Sequence, residues 1–394
     1  MHVKSSQESF GLSNNTHCDI LSGLMAEERP ITIDEACALR YLLFGSLNKS
    51  FTNAWTEQSF HFRSVPPYGF LQKRAGPCGV LAAVQASVIY ELLYGPSHIR
   101  ADSGIVKVTQ NEKREALARA LTSILWQAGD GKHALVAKRN KRIVLNTPAA
   151  SDILEPDGIL EFLKIIHFEC RACLLDYYRN YINEMTADNY PSCILFLYSV
   201  IMTHGFEKFK REMDSSDNHL IGTDGYCSQE VVNLMLTGRA VSNLFDGVVE
   251  LNSGGSETTM LQGIRGQSKI GLLSLYEYQG NCTVGNYYKN PVSPIWIMLA
   301  DSHFTVLFAL SKSILRRKKS EDPFILYHYN GLARRYAETS YLINPVFHSS
   351  PPPTDRTLPS VVCCIYTRWP LASVDPNIEL DEISSETNEG DTNE

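Results

Sequence analysis

Hydrophobic positions recur at helical spacing through the first half of the chain. The segment ITIDEACALRYLLFG (31–45) carries apolar residues three and four positions apart, and Thr32 or Asp34 is placed to cap its start. Shortly after Cys78 comes the nearly continuous apolar run VLAAVQASVIYELLYG, which predicts a strong helix ending at a Gly-Pro pair. Residues 111–126 predict a further amphipathic helix. This half of the chain is therefore expected to be mostly helical.

The middle of the chain mixes two patterns. Residues 131–146 (GKHALVAKRNKRIVLN) alternate apolar and polar side chains on both sides of a basic turn, which predicts a β-hairpin. Residues 157–213 have a mostly helical pattern. The segment GYCSQEVVNLMLTGRAVSNLF (225–245) predicts a helix, a break at Thr-Gly and a second short helix.

The last third of the chain changes to strand patterns. Strands are predicted in PIWIMLADSHFTVLFAL (294–310), FILYHYNGL (324–332) and VVCCIYTRW (361–369), and prolines at 351–353 separate the last two. Helices first and strands later indicate the α+β class, with a helical N-terminal half and a C-terminal antiparallel sheet.

Charge is concentrated at the C-terminus. The chain has 394 residues and a formal net charge of -7. The segment after Asn377 contains acids but no Lys or Arg, which predicts a disordered tail (Glu379, Asp381, Glu382, Glu386, Glu389, Asp391, Glu394). Without these acids the remainder is close to neutral, and nucleic acid is not expected as a partner because phosphate binding needs a basic face.

The ten cysteines are too few for a dense disulfide framework in a chain of this length. The N-terminus MHVKSSQESF lacks the pattern of a signal peptide, and no apolar run approaches the ~20 residues that span a membrane. We therefore expect a cytoplasmic or nuclear location with no membrane partner, where a free thiol survives.

Cys78 has the setting of a nucleophile. A thiol attacks carbonyls as the thiolate, and the start of a helix lowers the pKa of a cysteine there. Gly76 and Pro77 form a turn before Cys78, and Gly79 allows close backbone approach. Gln72, six residues earlier, is a candidate oxyanion donor. The alternative is a buried structural cysteine in a helix cap.

His303 is the best candidate for the base among the eleven histidines. It follows Asp301-Ser302 and precedes the apolar run FTVLFAL, so it begins a strand. Asn330, in YHYNGL on the following predicted strand, is a candidate for orienting it, as is a backbone carbonyl. The alternative is a hydrogen-bonded histidine at a sheet edge.

The distance in sequence between these candidates bears on domain organisation. Cys78 and His303 are more than 200 residues apart, so one fold must include both if they meet. We predict a flexible N-terminal arm at 1–29, a single catalytic domain at 30–377 and the acidic disordered tail at 378–394.

Longer segments resemble a known family. QKRAGPCGVLAAVQASVIYELL, HLIGTDGYCSQEVVNLMLTGRAVSNLFDGVVEL, GLLSLYEY and PIWIMLADSHFTVLFAL, in that order, are similar to the MINDY deubiquitinases. The likeness is to the branch with a long insert between the Cys and His segments. FILYHYNGLA and CIYTRWPLASVDPN also resemble this branch, and the resemblance covers about residues 33–377.

The resemblance implies a papain-like α+β fold without a metal or organic cofactor. It implies hydrolysis of isopeptide bonds in polyubiquitin, preferentially in lysine-48-linked chains, so that polyubiquitin and ubiquitinated proteins are the expected partners. The family's nucleophile, base and oxyanion glutamine correspond to Cys78, His303 and Gln72. The alternatives are a catalytically weak ubiquitin-chain-binding scaffold of the same fold, or another papain-like thiol hydrolase or acyltransferase.

Ala75 departs from the family pattern. The family usually has two glycines before Pro-Cys, whereas this chain has Ala75 and Gly76. If the first position required positive φ, Ala75 would cost roughly 1 kcal/mol and distort the loop that carries Gln72. We accordingly expect Ala75→Gly to raise activity if the loop is strained.

Other cysteines are interpreted as structural. Cys170 and Cys173 form a CxxC within FECRACLLDYY, a predicted continuous helix, and no second paired motif at zinc spacing accompanies them. Cys227 begins a predicted helix, and Cys363-Cys364 lie in a predicted strand. No metal ligand is assigned.

Overall fold

The computed structural model describes most of the chain outside its two ends: residues 28–96, 107–145, 153–252, 258–316, 322–334, 337–349 and 358–377. The predicted arm lies outside these ranges except for Glu28 and Arg29, and the predicted tail lies wholly outside them. One hydrophobic cluster contains side chains from Ile31 through to Ala337. The division into arm, single domain and tail stays a prediction.

Helices dominate up to residue 128, as the sequence predicted. The helix Ile33–Phe44 (α1) begins after a capping box in which Thr32 and Glu35 each satisfy the other's backbone N–H. Thr109 and Glu112 cap the helix Gln110–Ala128 (α4) in the same way. The predicted helices at 31–45, after Cys78 and at 111–126 are confirmed (α1 Ile33–Phe44, α2 Asn53–Thr56, α3 Cys78–Tyr94, α4 Gln110–Ala128).

A three-stranded antiparallel sheet replaces the predicted hairpin. Its strands are β1 (Glu28–Pro30), β2 (Ala134–Arg139) and β3 (Leu163–Phe168), in the order β1-β3-β2. The hairpin at 131–146 is wrong because β2 pairs with β3 and not with residues 140–145. Residues Leu163–Phe168 also interrupt the segment predicted as mostly helical, because they pair on both sides, with β1 and with β2.

The helices that follow pack on this sheet and on α4. After the helix Gln229–Thr237 (α8), Gly238 ends the helix in the left-handed region. No second helix follows at 239–247, so that prediction is wrong. None of the helices within the described ranges is long and apolar enough to span a membrane. The elements are α5 Arg171–Thr186, α6 Ser192–His204, α7 Phe206–Glu212 and α8 Gln229–Thr237.

A six-stranded sheet forms the C-terminal part, in the order β11-β10-β9-β8-β7-β6. Neighbouring strands are antiparallel except for the edge pair β6 and β7, which is parallel. A separate two-stranded hairpin, β4 with β5, precedes it. The strands are β4 Val248–Asn252, β5 Thr258–Gln262, β6 Gly271–Ser274, β7 Ile295–Ala300, β8 His303–Phe308, β9 Phe324–Tyr329, β10 Glu338–Asn344 and β11 Ser373–Asn377.

Alternating residues of the large sheet face two different layers. Val306 and Phe308 of β8 belong to the cluster that includes α3, whereas Leu307 belongs to a second cluster on the opposite face. Helix α3 packs against β7 and β8 on the first face. Short helices cover other parts of the sheet (α9 Leu275–Tyr278, α10 Asn286–Lys289, α11 Ser313–Arg316, α12 Ser360–Arg368).

Helix α12 corrects the third predicted strand. The segment VVCCIYTRW is helical from Ser360 to Arg368, and Cys363 and Cys364 are both buried rather than facing opposite sides of a strand. These thiols lie in the second cluster of the sheet. The α+β class, with a helical N-terminal half and a mainly antiparallel C-terminal sheet, is nevertheless confirmed.

Candidate active site

The loop before Cys78 owes its shape to Gly76. Gly76 has φ +130, and a Cβ at this position would lie 3.1 Å from Trp55 Nε1 and 3.3 Å from the Gly225 carbonyl oxygen. Trp55 itself donates to Gly225 O at 2.8 Å, so the neighbours are fixed. Only glycine adopts this conformation readily, which explains its place immediately before Pro77.

Ala75 does not need the conformation of glycine. Among the described residues, the non-glycine positions with positive φ are Asp130, Asn189, Asp301 and Ser302, and Ala75 is not one of them. The condition under which Ala75 would carry a backbone cost, a positive φ, is therefore not met.

Cys78 is the first residue of α3 and is 1% exposed. Burial raises the pKa of Cys78, and backbone N–H groups of Phe304, Gly79 and Cys78 oppose that rise only in part. The expected lowering at the helix start is thus outweighed by loss of solvent. The contribution from Phe304 places the thiol beside the start of β8.

His303 is the first residue of β8 and is half-buried. Its Nε2 lies 3.0 Å from Asn330 Oδ1, and the backbone N–H of Leu332 donates to the same oxygen at 3.0 Å. Because an amide oxygen only accepts, Nε2 carries the proton and Nδ1 keeps its lone pair. Nδ1 is buried without a hydrogen-bond partner among the described residues. Burial lowers the pKa of His303, and the Asn330 hydrogen bond partly offsets this.

Gln72 lines the same cavity as Cys78, together with Phe304 and Gly331. The cavity is about 20 Å³, enough for a single water. The side chain of Gln72 is 4% exposed, and its Nε2 donates to Arg74 O at 2.8 Å. The structure therefore brings Gln72 and Cys78 to one pocket, with the Gln72 carboxamide bonded to Arg74 O.

The loop after β9 connects these parts. Asn330 follows the last residue of β9 rather than lying on the strand. The next carbonyl, Gly331 O, accepts from the Gln72 backbone N–H at 3.0 Å and from Arg63 Nη2 at 2.9 Å. Sequence reasoning missed Arg63, since an arginine in a turn-rich stretch carries no distinguishing signal.

The remaining cysteine motifs occupy structural positions. Cys170 is the N-cap of α5 and accepts from the Cys173 N–H at 3.4 Å, so the CxxC spans a helix start and not a continuous helix. Cys227 is buried against Gly79, where an added Cβ would lie 2.3 Å from its sulfur. Burial raises the pKa of Cys227. Within the described ranges, no group of three or more His, Cys, Asp or Glu could hold a metal ion.

Fold and site together define a class. A cysteine begins a buried helix, that helix packs on an antiparallel sheet, and the sheet presents a histidine oriented by an asparagine. This combination resembles the Cys, His and Asn set of the papain class of thiol hydrolases.

Comparison with known proteins gives the family. The model described as "Deubiquitinating enzyme MINDY-3/4, conserved domain" matches residues 40–377. The chain therefore belongs to the MINDY-3/4 family, which confirms the resemblance noted in its segments. No solved structure matches the chain significantly.

Curated relatives agree with this assignment. The chain is 38% identical over 353 residues to "Probable ubiquitin carboxyl-terminal hydrolase MINDY-4" of Xenopus tropicalis, covering 89% of this chain and 46% of the relative. The Homo sapiens protein of the same name is 38% identical over 357 residues, with 90% and 46% covered. The "MINDY-3 homolog" of Drosophila melanogaster is 30% identical over 326 residues, with 70% and 56% covered. The chain thus spans about half the length of these relatives.

Proposed function

We propose that this chain is a cysteine-dependent deubiquitinase that hydrolyses isopeptide bonds in polyubiquitin. The observation that carries the proposal is the placement of Cys78 beside β8, whose first residue His303 is oriented by Asn330. The names of its relatives as ubiquitin carboxyl-terminal hydrolases support the choice of substrate.

The proposed reaction follows from the resting protonation states. His303 Nδ1 takes the Cys78 proton as the sulfur attacks the carbonyl carbon of ubiquitin's C-terminal glycine, and the carbonyl π electrons move to oxygen. The Cys78 backbone N–H and Gln72 stabilise this oxyanion. Collapse breaks the C–N bond, and His303 returns the proton to the leaving lysine amine. Water, deprotonated by His303, then hydrolyses the thioester and frees Cys78.

The Gln72 side chain must change its hydrogen-bond partner in this reaction. In the free protein its Nε2 donates to Arg74 O at 2.8 Å. We expect substrate to bring this donor onto the oxyanion, because catalytic hydrogen bonds can form fully only in the complex.

Two finer points belong to the same proposal. Preference for lysine-48-linked chains rests on the family resemblance. A reducing compartment, cytosol or nucleus, suits a mechanism that needs a free thiol, and the nine cysteines within the described ranges are all free of disulfides.

The alternative is a scaffold that binds ubiquitin chains without cleaving them. The burial of Cys78 and its small cavity favour it, because such a site is inactive until it opens. Ala75 does not have positive φ, so the sequence argument that strain at Ala75 weakens catalysis does not support the scaffold.

The deciding experiment incubates the purified chain with di- and tetraubiquitin of defined linkages and follows cleavage by gel. We expect cleavage by the wild type, fastest on lysine-48 linkages, and none by Cys78→Ala, while His303→Ala loses at least ~100-fold in rate. Cys170→Ser is the matched control, since it removes a half-buried thiol remote from β8, and it should cleave normally. Chain binding without cleavage by the wild type would establish the scaffold instead.

The role of Gln72 has its own pair of variants. Gln72→Glu should be slower than Gln72→Ala, because a carboxylate repels the developing oxyanion. Equal rates for the two variants would remove Gln72 from the oxyanion site.

A further inference from the structure

The backbone of residues 68–73, which carries Gln72, belongs to no strand of the described sheets. It meets residues 61–63 at the isolated bridge of Phe62 with Phe70 and through two backbone hydrogen bonds, Arg63 N–H to Gly69 O at 2.7 Å and Leu71 N–H to His61 O at 2.8 Å. Tyr68, Phe70 and Gln72 are all buried. Backbone N–H and C=O groups in such a place require partners, because an unpaired buried group costs about as much as a lost hydrogen bond.

Gln85 supplies one pair of partners from α3. It is 2% exposed and lies seven residues after Cys78 on the same helix. Its Oε1 accepts from the Phe70 N–H at 2.7 Å, and its Nε2 donates to Tyr68 O at 2.9 Å. One carboxamide therefore pairs with the Tyr68 carbonyl and with the Phe70 N–H two residues later, as the backbone of a neighbouring strand would.

Gln58 supplies a second pair in the same manner. It is fully buried, its Oε1 accepts from the Lys73 N–H at 3.0 Å, and its Nε2 donates to Leu71 O at 2.9 Å. Its own backbone carbonyl accepts from the Cys193 N–H at 3.2 Å at the start of α6. Gln58 thus fixes the segment to the helical layer.

The two carboxamides bracket Gln72. Gln85 holds residues 68 and 70, Gln58 holds residues 71 and 73, and the Gln72 N–H between them donates to Gly331 O. Since Gln85 and Cys78 share one rigid helix, the bracket also fixes the distance from the nucleophile to the Gln72 side chain.

We propose that Gln58 and Gln85 are positioning residues, which set the register of the Gln72 segment so that its carboxamide faces the oxyanion formed at Cys78. This inference rests on the proposed function of Gln72. Glutamine is required because its side chain donates and accepts at once. Methionine has a similar length but no donor and only a weak acceptor, and glutamate accepts only. The sequence signal was Gln85 itself, a polar residue within the apolar run after Cys78.

A double-mutant cycle tests the positioning role. Gln58→Met and Gln85→Met should each lower kcat for chain cleavage by about 10- to 100-fold with KM changed less than threefold, because the lost interaction is made in the transition state. In the Gln72→Ala background the same changes should lower kcat by less than a further twofold. Full additivity, or a loss confined to KM, would overturn the proposal.

Controls separate positioning from general damage. Gln229→Met removes a half-buried glutamine on α8 that bonds Asn233 and not the Gln72 segment, and it should leave kcat unchanged. Gln85→Glu keeps the acceptor for Phe70 N–H but sets a second acceptor against Tyr68 O, and should lower kcat at least as much as Gln85→Met.

A second measurement does not depend on activity. By amide hydrogen exchange, Phe70 should exchange at least tenfold faster in Gln85→Met, and Lys73 in Gln58→Met. Leu71 N–H, which donates to His61 O at 2.8 Å, is the internal reference. If the wild type cleaves no ubiquitin chain, the proposed function fails, but hydrogen exchange still decides whether the two carboxamides hold the segment. Unchanged exchange rates in both variants would show that Gln58 and Gln85 do not hold it.

Discussion

At the scale of single residues, burial decides the protonation state of the candidate dyad. It raises the pKa of Cys78 and lowers the pKa of His303, so both changes favour the uncharged forms. The free protein therefore holds a thiol and a neutral imidazole rather than an ion pair.

Alkylation measures this resting state. Cys170 has its pKa lowered by a hydrogen bond from the Cys173 thiol and by backbone N–H groups, whereas burial raises the pKa of Cys78. Iodoacetamide at pH 7.5 should therefore label Cys170 well before Cys78, with peptide mass spectrometry as the readout. Faster labelling of Cys78 would show that its thiolate is already formed in the free protein.

The two residues before Pro77 give a matched pair of substitutions. Gly76→Ala should lower the free energy of unfolding by roughly 1–3 kcal/mol and reduce chain cleavage, because φ +130 is strained for alanine and Trp55 and Gly225 surround the site. Ala75→Gly should change cleavage little, since Ala75 does not have positive φ.

Urea denaturation and the cleavage assay check both variants. If Gly76→Ala left stability and cleavage unchanged, the loop would have to adopt another conformation. If Ala75→Gly raised activity, the backbone at Ala75 would be strained after all.

At the scale of elements, the turn before His303 is the strained feature. Ala300 pairs with His303, so Asp301 and Ser302 form a two-residue hairpin turn with φ 52 and φ 59. Such turns favour Asn-Gly or Asp-Gly because both residues have positive φ. Ser360, at the start of α12, donates to Asp301 Oδ2 at 2.7 Å and ties the turn to that helix.

Ser302→Gly should therefore stabilise the protein by about 1 kcal/mol, because glycine adopts the left-handed conformation without a steric cost. Urea unfolding at neutral pH measures the change. A loss of stability would show that the Ser302 side chain makes a contribution larger than its backbone strain.

Contacts with segments distant in sequence explain two of the failed predictions. Residues 361–369 are rich in β-branched and aromatic side chains, yet they fold as α12 because one side of that helix fills the second face of the large sheet. The strand pattern at 134–139 was correct, but its partner lies at 163–168 and not across the adjacent turn. Local pattern identifies a strand more reliably than it identifies the partner of that strand.

At the scale of the whole molecule, the sheet buries a second histidine beside the site. His328 on β9 is flanked by Thr305 of β8 and Thr339 of β10, with its Nε2 3.0 Å from Thr305 Oγ1. Burial, with a smaller effect from His303, lowers the pKa of His328 to about 4. The sheet is therefore built around a neutral imidazole.

This makes stability depend on pH. The unfolded chain, with an ordinary histidine pKa near 6.5, binds more protons between about pH 4 and 6.5, so stability is complete above that window and falls as pH falls through it. The loss from pH 7 to pH 5 should be about 2 kcal/mol. Urea unfolding of wild type and His328→Gln at both pH values checks this, and an equal loss in the variant would assign the effect to other groups.

The sequence by itself determined the helices around residues 31–45, 80–95 and 111–126, the strands of the β7–β8 hairpin, the α+β class and the family. These depend on side-chain periodicity, caps and short motifs, all of which are local along the chain. It also pointed to Cys78, Gln72, His303 and Asn330, whose proposed roles await the experiments above.

Only the tertiary structure decided what surrounds those residues. Groups distant in sequence decide the pairing of β2 with β3 and the helical state of α12. They also decide the raised pKa of Cys78 and the hydrogen bonds from Gln58 and Gln85 to the Gln72 segment. The φ angle of Ala75 is likewise known only from the structure. Desolvation and hydrogen-bond partners are properties of packing, and packing joins segments that no local pattern relates.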